Sequence, residues 1–178
     1  MPTPTALPAS FSPGQILTAA NLNLLRGGFR ILTVNSVTKT DTFSNASSSF
    51  VDVTGLSLTI TPQSNTSKFI LVASIQAGSN NDRVWFKFAG GNTASYVGDA
   101  AGSRVQVAME IFNASAAGSD SGIMLYLDSP ATATAITYKV QTASYSGGTQ
   151  YVNRSFTDTN NANFARSASS LTILEVSA

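Results

Sequence analysis

From Phe29 to the C-terminus, apolar residues recur at every second position, in short runs stopped by Gly, Asn, Ser or Pro. Alternation of this kind puts one set of side chains on each face of a β-strand. Leu56, Leu58 and Ile60 alternate with Ser57, Thr59 and Thr61 before Pro62 ends the run. Val84, Phe86 and Phe88 share one face, and Arg83, Trp85 and Lys87 the other. Val105, Val107, Met109 and Ile111 alternate with Arg104, Gln106, Ala108 and Glu110, which predicts a strand along that whole stretch. Ile123, Leu125 and Leu127 make another run, and Ile136, Tyr138 and Val140 the next. Tyr145 to Tyr151 reads as a hairpin turning through Gly147-Gly148, and Ser170 to Val176 closes the chain. Phe69 to Ile75 is apolar on both faces and predicts a central buried strand that wants cover beyond its own sheet. About nine short strands with no helical pattern between them predict an all-β fold, an antiparallel β-sandwich or jelly-roll-like knob over residues 29–178. No fixed-period repeat points to a propeller or solenoid.

Residues 1–28 differ. Pro2, Pro4, Pro8 and Pro13 lie among Thr, Ala and Ser, the composition of an extended arm. Thr18 can cap a helix of two turns through Arg26, and Gly27-Gly28 stop it. Two turns are unstable alone in water. Ile16, Leu17, Leu22 and Leu25 therefore want a docking surface, either on this domain or on another protein, and are the candidate anchor residues.

Composition narrows the chemistry. The 178 residues include no Cys and no His, which removes disulfides, thiolate chemistry, the commonest metal ligands and the usual neutral-pH base. Ten basic and nine acidic side chains leave a net charge of +1, without the basic footprint of a nucleic-acid binder. No apolar run is long enough for a membrane-spanning helix, and Met1-Pro2-Thr3-Pro4 is unlike a secretory signal, so synthesis in a cytoplasm is expected. The 25 Ser and 20 Thr abound, but a nucleophile needs a base, and no motif supplies one. The nine carboxylates are scattered and read as solvated turn and edge residues; no catalytic residue, cofactor or metal is predicted. The Thr157–Asn163 loop carries one carboxylate and reads as a turn rather than a calcium site. Asn-x-Ser/Thr triplets at Asn45, Asn65, Asn113 and Asn153 are expected by chance in such a composition.

Two clusters remain as candidate binding residues. Arg83, Trp85 and Lys87 place the only Trp on the polar face of a strand whose other face is core. Trp between cations can stack on a sugar ring, pack at a subunit interface, or lie under a loop of its own chain, and the sequence leaves these open. Tyr145, Tyr151 and Arg154 around Gly147-Gly148 form the second cluster, either an adaptable contact surface or cross-strand Tyr packing.

The segment Phe11-Ser12-Pro13-Gly14-Gln15-Ile16-Leu17-Thr18-Ala19-Ala20-Asn21-Leu22-Asn23 resembles a short opening common in fibre and appendage proteins of tailed bacteriophages. Val37–Phe43, Thr54–Pro62 with Ser67-Lys68, and Tyr126–Pro130 with Thr137–Val140 are similar to the β-rich modules that follow it there. The resemblance implies a virion protein, usually a homotrimer, attached to another virion protein through its N-terminal arm. Its knob would contact the host surface, a glycan being one candidate, without cleaving it. No shaft lies between arm and knob, which keeps a capsid decoration or cement protein as the alternative; a carbohydrate-degrading tail enzyme ranks last.

Overall fold

The computed structural model describes Gly14, Ile16 and residues 30–177. The expected arm, the two-turn helix and the anchor residues Leu17, Leu22 and Leu25 lie outside the described residues; Ile16 is exposed. Ten antiparallel strands follow: β1 (Ile31–Lys39), β2 (Phe43–Asn45), β3 (Val51–Ile60), β4 (Lys68–Gly78), β5 (Asp82–Ala89), β6 (Met109–Asn113), β7 (Asp120–Asp128), β8 (Ile136–Ser144), β9 (Gln150–Val152) and β10 (Ser169–Val176). The one helical turn among the described residues is a 3₁₀ turn at Thr93–Ser95.

The first sheet runs β1–β10–β4–β9–β2, with β7 on the free side of β4. The second runs β3–β8–β5–β6. β1 and β2 pair with β10 and β9 in continuing register, Lys39 opposite Ser169 and Phe43 opposite Val152. Each pair is thus one long strand interrupted once, and the chain has eight strands in effect. They are ordered first, eighth, third, sixth in one sheet and second, seventh, fourth, fifth in the other. That is the order of a jelly roll.

The core fills the space between the sheets. Phe69, Leu71, Ala73 and Ile75 of β4 and Leu171 and Ile173 of β10 face Val84, Phe86 and Phe88 of β5 and Tyr138 and Val140 of β8. β3 joins this face only through a bulge. Gly55, with φ of +88°, breaks the alternation between Asp52 and Ser57, so Val53 and Leu56 both point inward. At the far end of β5, Gly90 has φ of +100°, and a Cβ there would collide with the Thr137 carbonyl. The turn it makes brings the Asn92 amide onto the buried Asp128 carboxylate, which also accepts a 2.7 Å bond from Tyr138 Oη. Burial, reinforced by that carboxylate, pushes the Tyr138 phenol up beyond its ordinary range.

Two sequence expectations need correction. Tyr145–Tyr151 is not a hairpin: β8 lies in the second sheet and β9 in the first, so Gly147-Gly148 carry the chain across the sandwich. The strand expected from Arg104 begins only at Met109. Its pairing with β5 ends at Phe86–Met109 and a final Ala108 N–H to Phe86 C=O bond of 3.0 Å; β5 runs on to Ala89, but the chain before Ala108 bonds instead to the loop at Gly98, whose N–H donates to the Val107 carbonyl at 3.1 Å.

Asn153 holds the interrupted strands together. It is fully buried, at φ of +66°, where residues 153–168 leave the line of β9 and β10. Its Nδ2 donates to the carbonyls of Lys39 (2.8 Å) and Asp41 (2.9 Å), and its Oδ1 accepts from Ser169 Oγ (2.6 Å). Its own N–H donates to the Gln76 carbonyl at 3.0 Å. Asn153→Ala leaves these groups without partners and is expected to cost about 3–5 kcal/mol in urea unfolding. Asn153→Gly, free of the left-handed strain, should recover about 1 kcal/mol of that loss.

On the outer face of the second sheet, Lys139 (2.6 Å) and Gln141 (2.8 Å) donate to Asp52 and hold its carboxyl below the ordinary value of 3.8. A folded-state pKa below the unfolded one stabilises above about pH 4 and loses that contribution as the pH falls through the folded value. Both side chains are more than a third exposed, so the effect is at most about 1 kcal/mol. Unfolding of Asp52→Asn between neutral pH and pH 3 should accordingly show a shallower acid loss than the parent chain.

Candidate functional site

Strand register assembles the outer face of the second sheet. Arg83 of β5 lies opposite Phe112 of β6, and on its other side the Tyr145 N–H donates to the Arg83 carbonyl. The guanidinium therefore sits between two rings, 5.3 Å from the centroid of Phe112 and 5.5 Å from that of Tyr145. One row along, Trp85 faces Glu110, whose Oε2 accepts the indole N–H at 2.9 Å while Oε1 lies 3.4 Å from Arg83 Nε. The Tyr145 ring meets Trp85 edge-on at 5.6 Å. Ala143 is the cross-strand neighbour of Trp85 on β8, and its small side chain leaves the indole room.

Trp85 is only 9% exposed, and Ser103, Arg104, Val105 and Val107 line a cleft of about 400 Å³ beside it. Within the chain Trp85 therefore packs under its own loop, with little surface left exposed. The aromatic residues of the cluster that reach solvent are Tyr145, at 56% exposure, and Phe112, at 47%.

Tyr145 also walls a second cleft, of about 310 Å³, at the end of the sandwich where the chain crosses between sheets. Asn80, Asn81 and Asp82 come from the β4–β5 crossing, Ser146, Gly148 and Thr149 from the β8–β9 crossing, and Phe156 from the loop after β9. Phe156 meets Tyr151 edge-on at 5.8 Å, and the Arg154 guanidinium stacks 4.0 Å from the Tyr151 centroid. Arg154 donates to the carbonyls of Ser155 and Phe156, which fixes the loop that presents Phe156. Arg154 and Arg166 also both engage Asp158, the lone carboxylate of the loop considered for calcium. Of the predicted residues, Arg83 of the first cluster and Tyr145 of the second line this cleft; Tyr151 and Arg154 stand behind Phe156, and Trp85 lies outside it. Lys87 is separate: its ammonium lies 4.1 Å over the Phe50 ring, and it lines a different depression with Gln106 and Gln141.

The cleft is fitted for hydrogen bonding to a neutral polar molecule. Asp82 accepts from the Arg83 N–H (2.7 Å) and Ser146 Oγ (2.6 Å) and keeps acceptor capacity for a further donor. Asn80 and Asn81 are exposed, with no side-chain partner among the described residues. The negative Asp82 and positive Arg83 leave no net charge at the mouth. Among the described residues no cluster of ligating side chains suitable for a metal ion is found.

Compared with protein-family models and with curated proteins, the chain finds no match. Glu110, Phe112, Phe156 and Asn80–Asp82 were not singled out in the sequence. Asn80-Asn81-Asp82, a polar triplet between two strands, is the signal that marks the cleft.

Because Trp85 is the only tryptophan, its burial is readable in solution. Its emission should be blue-shifted and weakly quenched by acrylamide in the folded protein. Glu110→Ala removes the indole's acceptor and is expected to destabilise by about 1–2 kcal/mol in urea.

Proposed function

We propose that this chain is a non-enzymatic binding protein, a short appendage of a phage virion whose knob holds a surface carbohydrate in the Tyr145–Phe156 cleft. The observation that carries the reading is the pairing of aromatic walls with amide and carboxylate groups in one cleft of ligand size, at one end of the sandwich. Pockets that take small ligands begin at about 300 Å³. An aromatic face covers the C–H face of a sugar ring, while Asn and Asp side chains meet its hydroxyls and fix its orientation.

Polarity of the fold supports the same role. β1 begins beside Val176 and the start of β4, and Arg30 exchanges bonds with Ser177 there. The cleft lies at the other end of β4, roughly 35 Å away along its eleven residues. Arg30, where the described knob begins, is therefore at the end remote from the cleft, which suits an attachment made through the preceding residues. A homotrimer is the assembly that goes with this reading.

The test is binding of the purified full chain to an array of neutral and acidic glycans and to purified bacterial surface polysaccharides. Retention of a subset is expected, with no sugar released. Tyr145→Ala should weaken that binding at least tenfold, about 1.4 kcal/mol, while Lys87→Ala, outside the cleft, leaves it unchanged. No retained glycan, or equal retention by Tyr145→Ala, removes the reading. A copy number of hundreds per virion would put the decoration role in its place.

A further inference from the structure

The two outer faces of the sandwich are built differently. That of the second sheet carries ion pairs, amides and the aromatic cluster. That of the first carries an unbroken apolar row across all four strands: Val34, Leu174, Ile70 and Leu127, in register from edge to edge. The next row adds Val72 and Leu125, and the next Ile123. Val34 is 61% exposed, Ile123 69% and Leu125 59%. β4 is thus apolar on both faces, as its sequence has it, and only its inner face is covered by the opposite sheet.

We infer that this face is the surface on which copies of the chain pack against one another. Its chemistry selects a copy over an unlike partner. Across a two-fold contact, and close to any rotation axis, a residue meets its own copy, so like charges there would face each other. Across the outward positions of β1, β10, β4 and β7 the single charged side chain is Lys68, at one end of the sheet. The remaining polar positions include Ser36, Thr38, Ser74, Ser170 and Thr172, whose hydroxyls donate and accept alike and so pair with themselves. Four strands about 4.8 Å apart and three side-chain rows about 6.8 Å apart give a flat area of roughly 400 Å². Seven of its twelve positions are apolar and the other five carry hydroxyls, four of them on β1 and β10. A standard interface, with an apolar centre and a polar rim, buries about 800 Å² per partner, so this face supplies about half of one. The inference stands on this face alone and leaves the reading of the cleft untouched whichever way it is decided.

Light scattering coupled to size exclusion on the full chain tests it. The expected mass is a whole multiple of 18.5 kDa, falling to 18.5 kDa in Leu125→Arg with an unchanged β-type circular dichroism spectrum. A parent chain at 18.5 kDa at tens of micromolar overturns the inference, as does a folded Leu125→Arg that keeps the multimeric mass. A parent chain at 18.5 kDa would assign the cover to residues 1–29 or to an unlike partner. Should Leu125→Arg fail to fold, the absence of native cysteine allows a second measurement. Leu125→Cys is expected to form a covalent dimer with a short bismaleimide, and Thr59→Cys, on the outer face of the second sheet, is not. Equal or absent cross-linking at both positions overturns the inference.

Discussion

A buried asparagine in a left-handed conformation carries the geometry on which the site depends. The long strand of β9 and β10 is interrupted by residues 153–168, and its partner of β1 and β2 is interrupted at the same level. Without a substitute for the missing ladder, backbone carbonyls at Lys39 and Asp41 would be buried with no donor. Asn153 supplies that substitute from one side chain and one N–H, joining β1, β4 and β10 at a single point. Arg154 follows immediately and ties down the loop that presents Phe156. The wall of the cleft is therefore a direct extension of the joint that lets the sheet continue past its break.

The same economy of position appears around Arg83. Alternation makes Arg83 and Trp85 share an outer face, but their partners are chosen by register with β6 and β8. Phe112, Glu110 and Tyr145 reach them because the pairing places Arg83 opposite Phe112 and Trp85 opposite Glu110. A slip of one residue would send Phe112 and Glu110 inward and bring the buried Ile111 to the surface. Burial of Ile111 beside Val84 and Phe86 in the core thus fixes an outer-face cluster that it never touches.

This explains what was legible in the sequence. β4, β7, β8 and β10 are read directly, because period-two alternation is a local property and each has a partner along its length. Val105 and Val107 alternate equally well, yet the chain there bonds to the loop at Gly98 rather than to the last residues of β5; alternation is necessary for a strand but does not choose its partner. Gly147-Gly148 misled for a related reason. A turn that reverses within one sheet and a turn that crosses to the other use the same residues, and only distant pairing distinguishes them. The cleft is legible in its parts, Tyr145, Tyr151, Arg83 and Arg154, but not as a whole. Its unity comes from two crossings, one before β5 and one after β8, that meet at one end of the sandwich although more than sixty residues separate them in sequence.

A jelly roll makes that meeting unavoidable. Each time the chain passes from one sheet to the other it does so at an end, and the crossings after β4, β6 and β8 all fall at the end away from Arg30. Loops at that end are free of the sheet ladders, so Asn, Ser and Gly there cost the core nothing and leave polar groups unpaired. The outward face of the first sheet has no such freedom: every residue on it sits in a ladder, and its side chains can differ only in what they present. That a regular surface presents Leu, Ile and Val with a single charge, Lys68, at its end, while the irregular end presents amides and an exposed Tyr, divides the molecule into a surface suited to broad apolar packing and one suited to directional bonding. The two share no residue, the first lying on β1, β10, β4 and β7 and the second on the loops at one end of the sandwich.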